Sequence, residues 1–566
     1  MIGERQTGIL AVQPGFQPAT NEAGAHSGPV WSLAALLLAA LALRLAFFTG
    51  CFGSDEVTYT EQALKIAQGH WARSDYIGAV RLGISLPVGF LVWLFGRSEF
   101  VANLWSLLCS LGEIALVYLI ARRFWGERVA VLAGLVLAFT PLHAHYAGRL
   151  MADAPLAFFV TLSFFTLFEG DRTGRREYYL CAGLAAGFVW WIKSSVALVY
   201  VLVFALYLVR ERRLHSKWLL MATGFLAMLA LNGLVFLVME DDFWKLWRMT
   251  TSGAAEYVQK ISPDTDPGFY LRLLLLDVKH TWLLGPLAAA GLVLWLTRQR
   301  HDDGLTRVAI WCLGLIGAFS LFIVSFKPLL LITKQVNYAI VFLAPLALLA
   351  GYALSRLGRR LSIIVAVAVI IPLGVIGTAL EQQVIQSFVA NSKAALRFAS
   401  EHPGAAVYGM TNATRTGNYA RLFATSPAEV PRIHDIQLLA AGTPGMPLSR
   451  GTEGFAAYAI FDRQTAGWGK QGPYSSLDGL PSCWVRLGEL QPTGMGLGSR
   501  LVGSLSSAAA VLPTAIGQKV ASRLDALAHP LPATIFGITP ECLLATARSG
   551  GNVKMEPQEP ESMHDR

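Results

Sequence analysis

Two acidic sites lie at the ends of apolar runs. Asp55 and Glu56 are adjacent in the loop after the first long apolar run, and Asp153 lies in a later short loop. A carboxylate with an ordinary pKa near ~4 is ionised at neutral pH and can take a proton from a hydroxyl group as a general base. Carboxylates also suit helix N-termini, so helix capping is the alternative role for all three residues.

Basic side chains occur in loops of the same kind and are candidates for binding an anion such as a phosphate. They are Arg81, Arg149, Lys193, Arg272 and Lys334. Arginine is favoured where a phosphate is held by two hydrogen bonds. Structural alternatives remain open: Arg149 could pair only with Asp153, and Lys193 and Arg272 could extend to the membrane interface as anchors.

Two histidines near Asp153 offer a weaker alternative. His143 and His145, together with Asp153, could bind a divalent metal ion. A His-x-His pair without further ligands is a poor zinc signature, because stable zinc sites use three or four protein ligands. The sequence therefore indicates no definite cofactor.

The elements that must position these residues are membrane helices. The chain has 566 residues, of which 54% are hydrophobic and only 15% charged, with a mean hydropathy of +0.48. This composition is too apolar for a soluble protein of this size and indicates an integral membrane protein. The net charge of +9 comes from short basic clusters between apolar runs, which is typical of membrane orientation signals and argues against nucleic-acid binding.

About eleven membrane-spanning helices are predicted. The candidate spans are 30–49, 99–121, 129–142, 154–169, 178–192, 195–209, 217–239, 281–297, 308–326, 337–355 and 361–380. Two spans separate each basic cluster from the next, so all clusters share one face, which the positive-inside rule makes cytoplasmic. The N-terminus is then cytoplasmic, and every candidate site residue outside.

One apolar stretch breaks this alternation if it is counted as a span. Leu82 to Phe95 carries Pro87 and two glycines, and a crossing here would place Arg122 outside. We therefore predict that it forms an interfacial helix on the outer surface.

The chain beyond residue 380 has a different composition. Strand-like runs at 405–410, 455–461 and 483–490 alternate with helical stretches at 391–401 and 514–528, which predicts a soluble α/β domain over 381–548. This domain would lie outside the cytoplasm, where a Cys483–Cys542 disulfide could form. The membrane domain would cover 30–380, and the ends, 1–29 and 549–566, are predicted to be disordered tails, the first of them cytoplasmic.

The ordered series of motifs resembles a known family. It consists of the Asp55-Glu56 loop with Tyr59, Phe95-Gly96-Arg97-Ser98-Glu99, Ala121-Arg122-Arg123-Phe124-Trp125-Gly126, Arg149-Leu150-Met151-Ala152-Asp153-Ala154-Pro155, Trp191-Ile192-Lys193 and Lys334-Gln335-Val336-Asn337-Tyr338. Over about residues 30–355 it resembles the C-type membrane glycosyltransferases. Within them it is similar to the family of protein O-mannosyltransferases and the lipid A aminoarabinose transferase (family 39).

This resemblance implies an enzyme of a bacterial inner membrane that transfers a sugar from a polyprenyl phosphate, with inversion, on the extracytoplasmic face. Asp55 with Glu56, and Asp153, take the places of the family's acidic residues. Tyr338 would join the donor-phosphate candidates, and Tyr59 would contact substrate. The acceptor, whether protein, lipid or glycan, is not indicated.

Two positions depart from the family pattern. Relatives carry a donor-binding Lys at the interfacial helix, where this chain has Gly83-Ile84-Ser85-Leu86-Pro87 and only Arg81 nearby. Asn337 replaces an Arg of many relatives. Two other functions remain open: a ligase or polymerase that uses a lipid diphosphate donor, and a lipid or solute transporter. Transporters usually place their polar residues at the bilayer midplane, whereas here the polar residues gather at one edge.

Overall fold

The computed structural model describes residues 28–549 except 72, 213, 253–265, 298–301, 327–328, 427, 441–453 and 469–471. The two predicted disordered tails therefore fall outside the described residues, apart from 28, 29 and 549, which are helical.

The first half of the chain is helical. Its helices are α1 (Gly28–Ala46), α2 (Asp55–Ala67), α3 (Leu82–Phe95), α4 (Glu99–Trp125), α5 (Glu127–Ala138), α6 (Pro141–Ala147), α7 (Asp153–Thr173), α8 (Arg176–Glu211) and α9 (Ser216–Glu240). Residues 245–252 are also helical. After them come α10 (Phe269–Leu275), α11 (Val278–Thr281), α12 (Leu284–Thr297), α13 (Asp303–Leu321), α14 (Ile340–Ser355), α15 (Arg359–Val365) and α16 (Ile371–Glu401).

Seven described helical stretches are long and apolar enough to cross a membrane, or eight if α5 and α6, bent by 66°, form one broken span. They are α4, α7, α8, α9, α13, Val336–Ser355 and Arg359–Glu401. Helices α1, α3 and α12 are apolar but shorter. The chain is thus a mostly helical, multi-span membrane protein, while the count of eleven spans stays a prediction.

Helix α8 reverses at Lys193, as the sequence predicts. Lys193 has non-helical angles (φ −155°, ψ 87°) inside the 36-residue stretch. Near the start of α8 the Tyr179 hydroxyl donates to Asp171, and at its end Glu211 pairs with Lys217, which also pairs with Asp171 at 2.9 Å. Because both ends of α8 meet the same carboxylate, its two halves run antiparallel with Lys193 at the tip.

Helix α14 forms the centre of the bundle. Almost all of its side chains are buried, and at Gly351 an added Cβ would lie 2.6 Å from the backbone nitrogen of Ala133 on α5. The close approach of the two backbones therefore requires a glycine there. Apolar packing of α14 against α5, α7, α12 and α13 builds the core that holds the outer loops in place.

The basic residues Arg210, Lys217 and Arg307 lie together at one end of the bundle. Arg307 pairs with Asp171 and Asp303, and Arg210 pairs with Asp303 at 2.7 Å. Asp171 is 18 residues after Asp153 on α7, so the two acids are roughly 27 Å apart along the helix. The basic end and the Asp153 end are therefore opposite ends of the bundle.

A five-stranded sheet follows α16. Its strands are β3 (Ala406–Gly409), β4 (Ile433–Asp435), β5 (Ala457–Phe461), β6 (Val485–Leu490) and β7 (Ala533–Ile538), in the order β4-β3-β5-β7-β6. β3 is parallel to β4 and β5, while β7 is antiparallel to β5 and β6. The helices here are α17 (Thr411–Phe423), α18 (Leu497–Ala510), α19 (Ala515–Ala528) and α20 (Pro540–Ser549).

The disulfide that the sequence suggests is formed between Cys483 and Cys542, with 5.7 Å between their Cα atoms. Helix α16 runs without a break across residue 380, where the domain boundary is predicted.

Two predicted boundaries are corrected. The span predicted at 308–326 ends as a helix at Leu321, and the chain then forms a small hairpin of β1 (Ile323–Phe326) and β2 (Leu329–Leu331). β-branched and other apolar residues after Leu321 suit a strand as well as a helix, and apolar content alone does not distinguish them. The helix predicted at 391–401 is the last part of α16.

Candidate active site

Asp55 is the first residue of α2 and lies among three donors. The Tyr76 hydroxyl donates to its Oδ1 at 2.9 Å, and the Tyr59 hydroxyl to its Oδ2 at 3.2 Å. The Arg81 guanidinium is 3.4 Å from the same Oδ2 and also donates to the Tyr59 hydroxyl. All three donors are side chains outside the first turn of α2, so Asp55 is engaged by the site and not by its own helix N-terminus.

These partners keep Asp55 ionised. Partial burial would raise the pKa of Asp55, but Arg81, the Tyr76 hydroxyl, Lys193 and the Tyr59 hydroxyl together hold that pKa below its usual value. The side chain is still 28% exposed. Asp55 is therefore a carboxylate within reach of an incoming hydroxyl group.

Asp153 is the first residue of α7 and is fully buried. Its Oδ1 accepts from Lys193 Nζ at 3.4 Å and from Asn337 Nδ2 at 3.2 Å. Lys193 Nζ also lies 4.2 Å from the ring centroid of Tyr338. Three distant parts of the sequence thus form one cluster, because the reversal of α8 and the turn just before α14 both reach the N-terminus of α7.

Helix α3 connects the two acids. At Gly83, an added Cβ would lie 2.9 Å from the backbone carbon of Trp191 and 3.0 Å from the nitrogen of Ile192. The glycine lets the start of α3 pack directly against the tip of α8. Arg81, just before α3, and Lys193 are therefore on the same side of the site, and Lys193 contributes to the lowered pKa of Asp55.

Glu56 faces away from Asp55. It is buried, accepts from the backbone N–H of Phe52, and has Arg149 Nη2 at 3.8 Å. Arg149 in turn donates to His145 Nε2 at 3.3 Å and lies 5.0 Å from the Phe52 ring centroid. These contacts fix the loop that carries Asp55, so Glu56 and Arg149 hold the backbone of the site.

Four buried polar atoms around this loop have no hydrogen-bond partner among the described residues. They are Glu56 Oε2, His145 Nδ1, Arg149 Nε and Asp153 Oδ2. Burying such atoms unpaired is costly, so the site has unused capacity to bind polar groups.

Three predicted site residues form their recorded contacts away from Asp55 and Asp153: Lys334, Arg272 and His143. Lys334 Nζ donates to the carbonyls of Phe319 and Ile332, both at 2.9 Å. Arg272 has a side chain that is 59% exposed and pairs with Asp266. His143 lies deep in the bundle.

His143 Nδ1 lies 2.7 Å from Arg44 Nη2, and its Nε2 lies 3.0 Å from Glu113. Both nitrogens of His143 are thus engaged within this network. Within the described parts of 28–549, no group of three or more His, Cys, Asp or Glu side chains is placed to hold a metal ion.

Sequence reasoning missed Tyr76 and gave no role to Asn337. Tyr76 is 21 residues from Asp55, in an irregular segment with no periodic pattern. In the sequence Asn337 is only a departure from the family pattern, whereas in the structure its side-chain amide bonds Asp153. The sequence signal for Asn337 is that a polar residue stands just before a buried helix, where its side chain needs a hydrogen-bond partner.

Comparison with known proteins identifies the relatives of this chain. Residues 86–236 match the family described as dolichyl-phosphate-mannose-protein mannosyltransferase. The predicted family resemblance is confirmed.

Curated relatives extend the match to more than half of the chain. An undecaprenyl phosphate-alpha-4-amino-4-deoxy-L-arabinose arabinosyl transferase 1 of Pseudomonas fluorescens is 29% identical over 349 residues, 57% of this chain and 60% of that protein. A transferase of the same name from Pseudomonas aeruginosa is 28% identical over 361 residues, 59% of this chain and 61% of that protein. The chain thus matches about three fifths of the length of these relatives.

Solved structures show the same fold. ArnT from Cupriavidus metallidurans in the apo state superposes with a TM-score of 0.51 at 20% identity, covering 78% of this chain and 94% of that one. The same protein bound to undecaprenyl phosphate gives a TM-score of 0.50 at 16% identity, with the same coverage.

Proposed function

We propose that this chain is a glycosyltransferase that moves a sugar from a polyprenyl-phosphate donor to an acceptor hydroxyl group, with inversion at the anomeric carbon. The observation that carries the proposal is the ionised, partly exposed Asp55 held next to Arg81 and on the same side as Lys193. Names of the curated relatives, transferases acting from undecaprenyl phosphate, support the donor class.

The chemistry needs one base and at least one cation. The acceptor oxygen attacks the anomeric carbon while the bond from that carbon to the phosphate oxygen breaks. Asp55 takes the proton of the attacking hydroxyl, and the lipid phosphate leaves with the electron pair of the broken bond. Arg81 and Lys193 stabilise the negative charge that develops on the phosphate, since both are cations fixed in a partly buried site.

Arg81 also links donor binding to the base. In the structure Arg81 holds the pKa of Asp55 low, and a bound phosphate competes with Asp55 for the guanidinium. As Arg81 turns to the phosphate, the pKa of Asp55 rises and the carboxylate becomes a stronger base. Tyr59 remains bonded to both groups and keeps them aligned.

The proposed topology has the basic end of the bundle in the cytoplasm and the site on the extracytoplasmic face of a bacterial inner membrane. We include the eleven spans, the membrane domain at 30–380 and the α/β domain at 381–548 in this proposal. The Cys483–Cys542 disulfide supports it, because disulfides persist outside the reducing cytoplasm.

The test is transfer by the purified full-length protein from radiolabelled polyprenyl-phosphate sugars to membrane glycolipid, glycan and protein fractions. Asp55→Asn keeps the size and hydrogen bonding of the side chain but cannot accept the proton. We expect transfer to fall by roughly 10² to 10⁴. Glu61→Gln is the matched control. Glu61 is an acid on the same helix that lies away from the site and pairs with Lys65 at 2.6 Å, so this variant should retain full transfer.

Near-full transfer by Asp55→Asn would show that Asp55 is not the general base. Activity only with lipid diphosphate donors would favour the ligase or polymerase alternative. Movement of an intact lipid across reconstituted vesicles without sugar transfer would favour the transporter.

A further inference from the structure

The two oxygens of Asp55 face different parts of the protein. Oδ2 lies toward Arg81 and Tyr59, on the side where α3 meets the tip of α8. Oδ1 accepts from Tyr76, whose side chain is 38% exposed. A donor phosphate held by Arg81 therefore approaches on one side of the base, and the side of Tyr76 is left for the second substrate.

The region after α16 reaches this second side. Arg415 on α17 donates from Nη1 to the carbonyl of Gly53 at 3.4 Å, two residues before Asp55. Gly53 has φ +86°, and an added Cβ there would lie 2.4 Å from Asn412 Oδ1. The α17 helix thus lies directly on the loop that carries the base.

Aromatic packing fixes the Arg415 side chain. Its guanidinium carbon is 5.6 Å from the ring centroid of Trp468, in a cation–π contact. Trp468 packs edge-on against both Phe52 and Phe388, at 5.7 Å each between ring centroids. The ring that supports Arg415 is therefore itself held by the membrane domain and by α16.

Arg415 retains free binding capacity. It is exposed, and no carboxylate among the described residues forms an ion pair with it. A guanidinium carries five N–H donors, and Gly53 accepts from one side only. Burial and the Asp55 carboxylate raise the pKa of Tyr76 while Arg81 and Arg415 oppose that rise, so the field of Arg415 extends to the Tyr76 hydroxyl.

We propose that Arg415 binds an oxyanion, a phosphate or a carboxylate, carried by the acceptor close to the hydroxyl group that receives the sugar. This inference rests on the proposed function and assigns acceptor recognition to the region after α16. A fixed guanidinium suits the purpose, because it binds such groups through two parallel hydrogen bonds. Tyr76 bonds the base and lies within the electrostatic field of Arg415, and Trp468 acts as a positioning residue for Arg415.

Binding of small probes to the full-length protein tests the proposal without turnover. The probes are glucose 1-phosphate, glucuronic acid and uncharged glucose, measured by saturation-transfer NMR titration in detergent. We expect one or both anionic probes to bind and glucose not to bind. Whether phosphate or carboxylate binds more tightly distinguishes the two acceptor classes.

Arg415→Gln should weaken the binding of the anionic probe by about tenfold or more, which is the scale of a lost pair of charge-assisted hydrogen bonds. Arg415→Lys should retain part of the affinity, which separates loss of charge from misfolding. Arg397→Gln is the matched control, since Arg397 pairs with Glu401 on an exposed surface, and it should bind as the wild type does.

Two outcomes would overturn the proposal: no binding of either anionic probe to the wild type, or binding that survives Arg415→Gln and is lost in Arg81→Gln. Asp55→Asn should bind the probe normally. A failed transfer assay with intact, Arg415-dependent probe binding would therefore count against the proposed function alone.

Discussion

Two groups of buried ionisable residues in this protein differ in how completely their polar atoms are hydrogen-bonded. The deep group joins Arg44, Glu113 and His143 inside the bundle, and the outer group joins Glu56, His145, Arg149, Asp153 and Lys193 at the site. In the deep group every side-chain nitrogen and oxygen has a partner: Arg44 also donates to Ser110 and two carbonyls, and Thr161 donates to Glu113.

The outer group, in contrast, leaves four polar atoms unpartnered among the described residues. A fully satisfied network rigidifies a core, whereas an unsatisfied one has a free-energy cost that a bound polar group can offset. Burial and charge alone therefore do not distinguish the site from the bundle interior. Because the two groups differ in pairing, we expect substitutions to affect stability in the deep group and transfer in the outer group.

The largest expected effect is in the deep group. Glu113→Ala removes the buried carboxyl group that bonds Thr161 and His143 and reaches Arg44 through His143, and should lower the free energy of unfolding by about 3 kcal/mol. Thermal unfolding of the detergent-solubilised protein measures the change. The double variant Arg44→Met with Glu113→Leu should recover much of the loss, since no unpaired charge remains. A Glu113→Ala variant as stable as the wild type would refute the structural role.

The next largest effect is on transfer in the outer group. Asp153→Asn removes the charge opposite Lys193 but keeps an oxygen that can accept from it, so stability should fall by about 1 kcal/mol or less. Transfer should fall by roughly 10-fold to 100-fold, because a neutral amide holds the Lys193 ammonium in place for the phosphate less firmly than the carboxylate does.

Asp171→Asn is the matched control for Asp153→Asn. Asp171 lies at the other end of α7 and pairs with Lys217 and Arg307. It should cost stability and leave kcat and KM unchanged. Equal loss of transfer in both variants would mean that the two ends of α7 do not differ in function.

A smaller effect concerns pH. Arg81 holds the pKa of Asp55 below its usual value, so the acid limb of the transfer rate should lie at low pH in the wild type. Arg81→Gln removes that charge, raises the pKa of Asp55 and should move the acid limb to higher pH. Arg81→Lys should move it less. The measurement is kcat/KM against pH, and an unmoved limb in Arg81→Gln would show that another group titrates.

Much of the outer group could be predicted from the sequence. Helix starts at Asp55 and Asp153 and the reversal at Lys193 follow from apolar runs interrupted by charges, and runs of this kind define membrane helices. The divergence of Asp55 and Glu56 was also predictable, because adjacent helical residues point about 100° apart. Two adjacent acids at a helix start therefore contact different partners.

The deep group and the acceptor side could not be predicted. Arg44 meets His143 across 99 residues, and Arg415 meets Gly53 across 362. Such contacts depend on how the helices and the sheet pack together, which no local pattern encodes. Strands β4 and β7 were missed for a related reason: β4 has only three residues, and pairing with neighbouring strands, not local propensity, determines that both form.

The smallest expected effect is on the donor KM of a variant at Arg272, a cation that lies outside the site of Arg81 and Lys193. Arg272 lines an open cleft of about 1120 Å³ that also contains Lys279, Leu380 and Arg523. Its side chain is 59% exposed and already paired with Asp266, and exposed pairs contribute at most about 1 kcal/mol. Arg272→Gln should therefore change the donor KM less than about threefold, whereas Arg81→Gln should raise it clearly. A tenfold rise of the donor KM in Arg272→Gln, together with an unchanged donor KM in Arg81→Gln, would place the donor phosphate in this cleft and not at the outer group. The unpartnered atoms of the outer group would then have no role in donor binding.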